Sequence, residues 1–129
     1  EMSIEYSALE SGLDRFVKLD KECDFVGKQA LLAWQARGFV NSFATLEVHG
    51  VTDADARGSE GLYCDGQLVG RATSGGYGFR TQKSLALGLV KAEYAAIGTQ
   101  LEIEILGERY AATVIEESAF DPDNAALRS

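Results

Sequence analysis

Between Thr99 and Phe120 the chain reads TQLEIEILGERYAATVIEESAF, and no other stretch narrows the fold as much. Leu101, Ile103 and Ile105 alternate with Glu102 and Glu104. That period puts apolar side chains on one face of a strand and carboxylates on the other. Gly107 marks a turn, and Tyr110, Ala112 and Val114 continue the pattern on a return strand. A hairpin with one dry face has to lay that face on something. The chain after Gly38 offers it more strands. FVNSFATLEVHG (39–50) carries Phe43, Thr45, Leu46 and Val48. Two apolar runs flank Asp65-Gly66, a dipeptide whose two positions tolerate the positive φ of a tight hairpin. SLALGLVKAEY (84–94) alternates through Leu85, Leu87 and Leu89. Short strands in such number, joined by tight turns, predict a closed barrel or a small sandwich. The alternation selects Leu46, Val48, Leu68, Leu85, Leu87, Leu101, Ile103 and Val114 for its core.

The first third has a different texture. DRFVKLDK (14–21) alternates enough for a short strand. DFVGKQALLAWQARG (24–38) predicts a helix, with Asp24 as N-cap, Ala30, Leu31, Trp34 and Ala36 on one face, and Gly38 at its end.

A chain of 129 residues, 46% hydrophobic, is the size of one ordinary domain and long enough to bury a core. Its formal net charge of -8 repels phosphate backbones and argues against general nucleic-acid binding. No apolar run is long enough to cross a membrane as a helix, and the start is not that of a signal peptide. Opening at Glu1 suggests an excised or processed piece. Cys23 and Cys64 form no CxxC pair and are expected reduced; with His49 as the one histidine, a zinc site is incomplete. Glu102 and Glu104 read as the wet face of a strand rather than a catalytic pair. GRATSGGYGFR (70–80) lacks the lysine of a phosphate loop, and no helix follows to receive a phosphate. Ser74-Gly75-Gly76-Tyr77 is therefore expected to be a turn or bulge, with positive φ at Gly75 or Gly76.

Taken in order, KLDKECDFVGKQAL, GLYCDGQLVGRATSGGYGFRTQKSLALGLV and GTQLEIEILGERYAATV resemble the C-terminal part of the aminomethyltransferase family, which includes the glycine-cleavage T-protein. Within it, DFVGKQAL and TSGGYGFRTQKSLALGLV are most similar to the C-terminal halves of dimethylglycine and sarcosine dehydrogenases. The resemblance implies a mainly β fold: a Greek-key-like barrel over residues 40–129, preceded by a short strand and one helix. Residues 1–39 would then finish a folate-binding domain. It implies tetrahydrofolate chemistry in the full-length parent, with FAD in a further upstream half, and a cytoplasmic or mitochondrial-matrix location. The family's transfer aspartate and pterin-holding pair match nothing in this chain, and no dinucleotide fingerprint is present. The chain alone is thus expected to hold no cofactor, no metal and no catalytic residue. Its partners would be the upstream folate-binding and flavin domains, neither nucleic acid nor membrane.

ESGL (10–13) matches a family EAGL stretch near the folate cavity, which makes Glu10 and Arg15 candidates for that cavity. Arg15 stands where the family often has an aromatic residue. Tyr77 is the third candidate, flanked by the expected turn glycines Gly75 and Gly76. KECDFVGKQ also approaches the KGCYxGQE pattern of folate-binding iron–sulfur maintenance proteins. Its glycine falls one residue late, and acidic neighbours make Cys23 a poor thiolate. Two alternatives stay open: the end of a free-standing aminomethyltransferase or demethylase, and a non-catalytic docking barrel.

Overall fold

The computed structural model describes residues 4–128. Six strands, β1 (Asn41–Val48), β2 (Gly61–Cys64), β3 (Gln67–Gly78), β4 (Lys83–Lys91), β5 (Gln100–Ile105) and β6 (Glu108–Ile115), close into one barrel. Around the barrel they run β1-β4-β3-β2-β5-β6, every pair antiparallel. Hairpins join β2, β3 and β4, while β1 lies beside β4 and reaches β2 by a long connection; this is a Greek key. The β5–β6 hairpin fills the gap between β2 and β1 and so removes both sheet edges. Two of the hairpins turn on paired left-handed residues, Asp65 (φ 48) with Gly66 (φ 77) and Leu106 (φ 52) with Gly107 (φ 85). That geometry matches the twist of the flanking strands.

The lumen is narrow, because barrel diameter grows with strand number and six is few. Leu46, Leu62, Val90, Ile103 and Val114 fill it, each under 2% exposed. Space for them comes from small neighbours. Ala44, Ala72, Ala86 and Ala112 point inward, and a Cβ on Gly88 would meet Leu62 Cδ1 at 2.8 Å. This inverts the expected register of β4. Its inward residues are Ser84, Ala86, Gly88 and Val90, and Leu85 and Leu87 stand half-buried on the outside. β4 is apolar on both faces, so its alternation marked a face without saying which one is the lumen. Leu68, also expected inside, is 59% exposed, and Val69 at 2% takes the core position. A bulge at Val69 of β3, opposite Leu62 and Tyr63, offsets this hairpin's pairing. Leu46, Val48, Leu101, Ile103 and Val114 are buried as expected.

Before the barrel, the stretch expected as a short strand opens instead as a single 3-10 turn, Asp14–Phe16, and becomes extended only at Val17. No strand ladder includes it. Helix α1 spans Lys28–Arg37 and stops at Gly38 (φ 86) as expected. It starts later than expected: Gly27 (φ 91) occupies the N-cap with no side-chain bond. The Asp24 carboxylate accepts the adjacent Phe25 N–H at 2.9 Å and so caps a local turn rather than the helix. None of the helix residues is buried. A last short helix, α2 (Ala125–Arg128), donates two backbone N–H groups to Asp121.

Candidate functional site

The stretch TSGGYG continues as strand. β3 runs through Gly78, the chain reverses over 79–82, and a bulge falls between Ala72 and Ser74. Gly75 and Gly76 pair with Ala86 and Leu85, and neither has positive φ, contrary to expectation. Gly75 is required for close approach instead. A Cβ there would meet the Ala56 carbonyl at 2.8 Å and the Leu85 carbonyl at 2.9 Å. The 49–60 connection drops buried Ala56 onto this spot and plugs the barrel end.

The outward residues of β1, β4 and β3 form an open groove of about 580 Å3. Thr45, Leu85, Leu87 and Gly76 make its floor, with Phe79 and Arg80 entering from the turn and Phe120 from the C-terminal segment. Thr45 Oγ1 donates to the Glu117 carbonyl at 2.9 Å and pins that segment along the groove. The Arg80 guanidinium lies 4.9 Å over the Phe120 ring. Phe79 is 87% exposed. The groove is thus an apolar slot with aromatic walls and one cation at its rim.

The three sequence candidates do not meet. Tyr77, 47% exposed, pairs with Ser84 at the barrel mouth and sets its ring edge-on to Phe79, centroids 5.2 Å apart. It lines a different hollow, about 720 Å3, with Asp53, Arg57 and Glu60 of the plug loop. Glu10 is buried and already engaged. Its carboxylate accepts the Ser7 N–H and hydroxyl at 3.1 Å each and the Asn41 N–H at 3.5 Å, while its carbonyl accepts the Phe43 N–H at 2.9 Å. It staples residues 7–12 to the outside of β1. Arg15 is exposed, lies 4.9 Å over the Phe16 ring and stands 3.9 Å from Glu117, and it lines a third hollow with Ile97 and Glu116 rather than the groove.

In the plug loop, burial pushes the Glu60 carboxyl up, but N–H groups of Arg57, Glu60 and Gly58 and the Arg57 charge outweigh it. The net shift is downward. The bonds from the Arg57 and Gly58 N–H groups measure 2.8 and 2.7 Å. Glu102 and Glu104 face outward, 3.5 and 3.6 Å from Arg109, whose guanidinium lies 3.8 Å over Tyr63. Their surroundings are those of a strand's wet face. His49 sits just past β1 and shares a 2.9 Å hydrogen bond with Thr113. Cys23 and Cys64 are free thiols, one exposed and one half-buried. Among the described residues no cluster of His, Cys, Asp and Glu has the geometry to hold a metal.

Residues 41–121 match the family model of the glycine cleavage T-protein C-terminal barrel domain. The chain belongs to this family. Rat dimethylglycine dehydrogenase, a mitochondrial protein, is 42% identical over 117 residues, and its human counterpart 41%. The aminomethyltransferase of Desulfitobacterium hafniense is 36% identical over 115 residues. These matches cover 91% and 89% of this chain but only 14% of the rat protein and 31% of the bacterial one. The glycine cleavage system aminomethyltransferase T of Bartonella henselae superposes on 90% of the chain with a TM-score of 0.78 at 22% identity, a likeness of fold.

In this T-protein barrel the residues fit one wall of a folate site and no more. The groove offers flat aromatic faces and a guanidinium, suited to a flat, anionic ligand. Its rim carboxylate Glu117 stands beside Arg15. Among the described residues no glycine-rich turn joins a strand to α1 or α2, the arrangement that receives a dinucleotide's phosphates in nucleotide-binding folds. Phe79, Arg80 and Phe120 escaped the sequence reading. The signal available was β4 itself, whose two apolar faces require cover on both sides.

Proposed function

We propose that this chain is the C-terminal part of a tetrahydrofolate-dependent one-carbon-transfer enzyme, and that the parent is a flavin-linked dehydrogenase of the dimethylglycine/sarcosine type. The observation that carries this is the 42% identity to rat dimethylglycine dehydrogenase over 91% of the chain, against 36% to the D. hafniense aminomethyltransferase. In this reading residues 40–129 are the terminal barrel and residues 1–39 finish the folate-binding domain. Tetrahydrofolate, when bound, accepts the one-carbon unit, and FAD takes the electrons in another half of the polypeptide. The barrel's share is physical. Phe79, Phe120, Leu85 and Leu87 exclude water from one side of the transfer cavity, and Arg80 supplies a fixed positive charge at its edge. A eukaryotic parent would work in the mitochondrial matrix; the names of the mammalian relatives, which read mitochondrial, support the organelle.

A second reading, the end of a free-standing aminomethyltransferase, is favoured by the 31% share of the D. hafniense enzyme that the chain spans. The test is a chimera in which this chain replaces the matching portion of rat dimethylglycine dehydrogenase. Flavin reduction by dimethylglycine without oxygen and the yield of methylenetetrahydrofolate are read separately. Both are expected to persist. A chimera that reduces its flavin normally but forms no methylenetetrahydrofolate refutes the assignment of this barrel to that enzyme type.

A further inference from the structure

The hollow under the plug loop has a chemistry that the stability of the barrel does not explain. Loop 49–60 crosses the barrel end where β1 and β3 finish and β4 begins, and about 720 Å3 lies beneath it. Ser84, the first inward residue of β4, lines this space. The later inward positions of the strand are Ala86, Gly88 and Val90, none of them polar. Ser84 is 9% exposed, yet among the described residues its hydroxyl has no hydrogen-bond partner. No buried side-chain oxygen among those residues is sealed off without a partner, so this hydroxyl opens into the hollow. A hydroxyl kept so deep without a partner is costly, and alanine would fill the same inward position, as Ala86 does on the next inward step.

The rim of the hollow is acidic. Asp53, Asp55 and Glu60 bring three negative charges against the one positive charge of Arg57, a net of -2. Glu60 is committed to the Arg57 and Gly58 N–H groups at 2.8 and 2.7 Å and to the Arg57 charge. Asp53 and Asp55 are exposed and, among the described residues, make neither a hydrogen bond nor an ion pair. Tyr77, paired across from Ser84, adds an aromatic ring to the wall. Carboxylates and an aromatic ring both attract an organic cation, whereas an anion would be repelled. The geometry for a metal ion is lacking among the described residues. We propose that this hollow binds a small organic ammonium ion. Asp53 and Asp55 supply the charge, Tyr77 supplies a ring, and the Ser84 hydroxyl accepts a hydrogen bond from the ligand. This site goes beyond the folate and flavin assignment, does not depend on it, and uses none of Phe79, Arg80 and Phe120.

The test is a titration of the 129-residue chain followed by amide chemical shifts in NMR spectra. The probes are ethanolammonium chloride, sodium chloride at equal ionic strength, and ethylene glycol, which keeps the hydroxyl but has no charge. Ethanolammonium should shift the amides of residues 51–57, Tyr77 and Ser84, saturating at about millimolar concentration. Neither control should give a saturable shift there. Asp53→Asn combined with Asp55→Asn should weaken binding about tenfold, and Ser84→Ala about threefold, each with the dispersed spectrum of the folded barrel retained. The two aspartates are exposed, so their variant decides the matter even where Ser84→Ala fails to fold. Ethanolammonium shifts that never saturate, that sodium chloride or ethylene glycol reproduces, or that map elsewhere on the barrel overturn the proposal. So does unchanged affinity in either folded variant. No folate or flavin chemistry enters these readings, so failure of the functional assignment leaves them interpretable.

Discussion

Ala86 and Leu87 are neighbours on β4 with opposite fates, and exchanging their sizes one at a time tests the register. Ala86 is fully buried, opposite Leu46 on β1 and Gly75 on β3. Ala86→Leu forces three more carbon atoms into a six-stranded lumen already held by Leu46 and Ile103. Overpacking of this kind costs about 1–3 kcal/mol, and the narrow lumen places the value at the upper end. Leu87 lies half-buried in the outer groove. Full burial of a leucine is worth about 1.5–3 kcal/mol, so Leu87→Ala in the free chain should cost under about 1.5 kcal/mol. Urea unfolding followed by circular dichroism gives both numbers from midpoints at constant slope. Leu87→Ala proving the costlier change would place the leucines in the lumen and break the β1–β4–β3 pairing described above.

Ile103→Ala, at a site with no exposure on β5, should lower stability by about 2–5 kcal/mol, read by the same unfolding. Glu60 binds its proton less readily folded than unfolded. Its contribution is therefore present above the ordinary value of 4.5 and lost as pH falls through the lowered folded value. Glu60→Gln should flatten that acid limb in melts taken across it, and an unchanged limb refutes the role. The isolated chain should turn over neither dimethylglycine nor sarcosine with dye or folate as acceptor; any turnover refutes the assignment of catalysis to other domains. In the chimera, Tyr77→Ala should lower methylenetetrahydrofolate yield while flavin bleaching persists. Two normal assays would reduce Tyr77 to a packing residue at the barrel mouth.

Strand existence was legible because period-two alternation survives in β1, β5 and β6, and because Asp65-Gly66 and Gly107 supply left-handed turn positions. Which face of β4 turns inward was not legible. SLALGLV is apolar on both parities, and only the crowding of Leu62 against Gly88 decides it. The glycines at 75 and 76 were read as a turn because local sequence shows chain freedom but not a neighbouring loop. The reason for Gly75 is Ala56, a contact between distant parts of the chain. Glu10 became a cavity candidate by resemblance; its contacts with Ser7, three residues away, and with the backbone of Asn41 could not be read from the sequence. The groove was missed because its residues come from β1, β4, the 79–82 turn and the C-terminal segment, which no window of sequence brings together.

The inversion of β4 explains why this barrel has a groove at all. Filling the lumen with Ala86, Gly88 and Val90 sends Leu85, Leu87 and Leu89 outward, opposite Glu47, Thr45 and Phe43. That outer row needs cover, and the chain supplies it at one end. Residues 7–12, stapled by Glu10, lie over Phe43, where a Cβ on Gly12 would come within 3.3 Å of the ring, and Leu89 is 3% exposed. Along the middle, the segment at Glu117 covers Thr45, leaving it 4% exposed. Beyond that, Leu85 and Leu87 remain open between Phe79 and Phe120. A barrel that hides small residues and displays leucines keeps its own stability while leaving an apolar strip for contact. Stability and contact thus reside on opposite faces of the same strand. Substitutions on the strip should therefore impair function in the assembled polypeptide before they impair folding of the barrel.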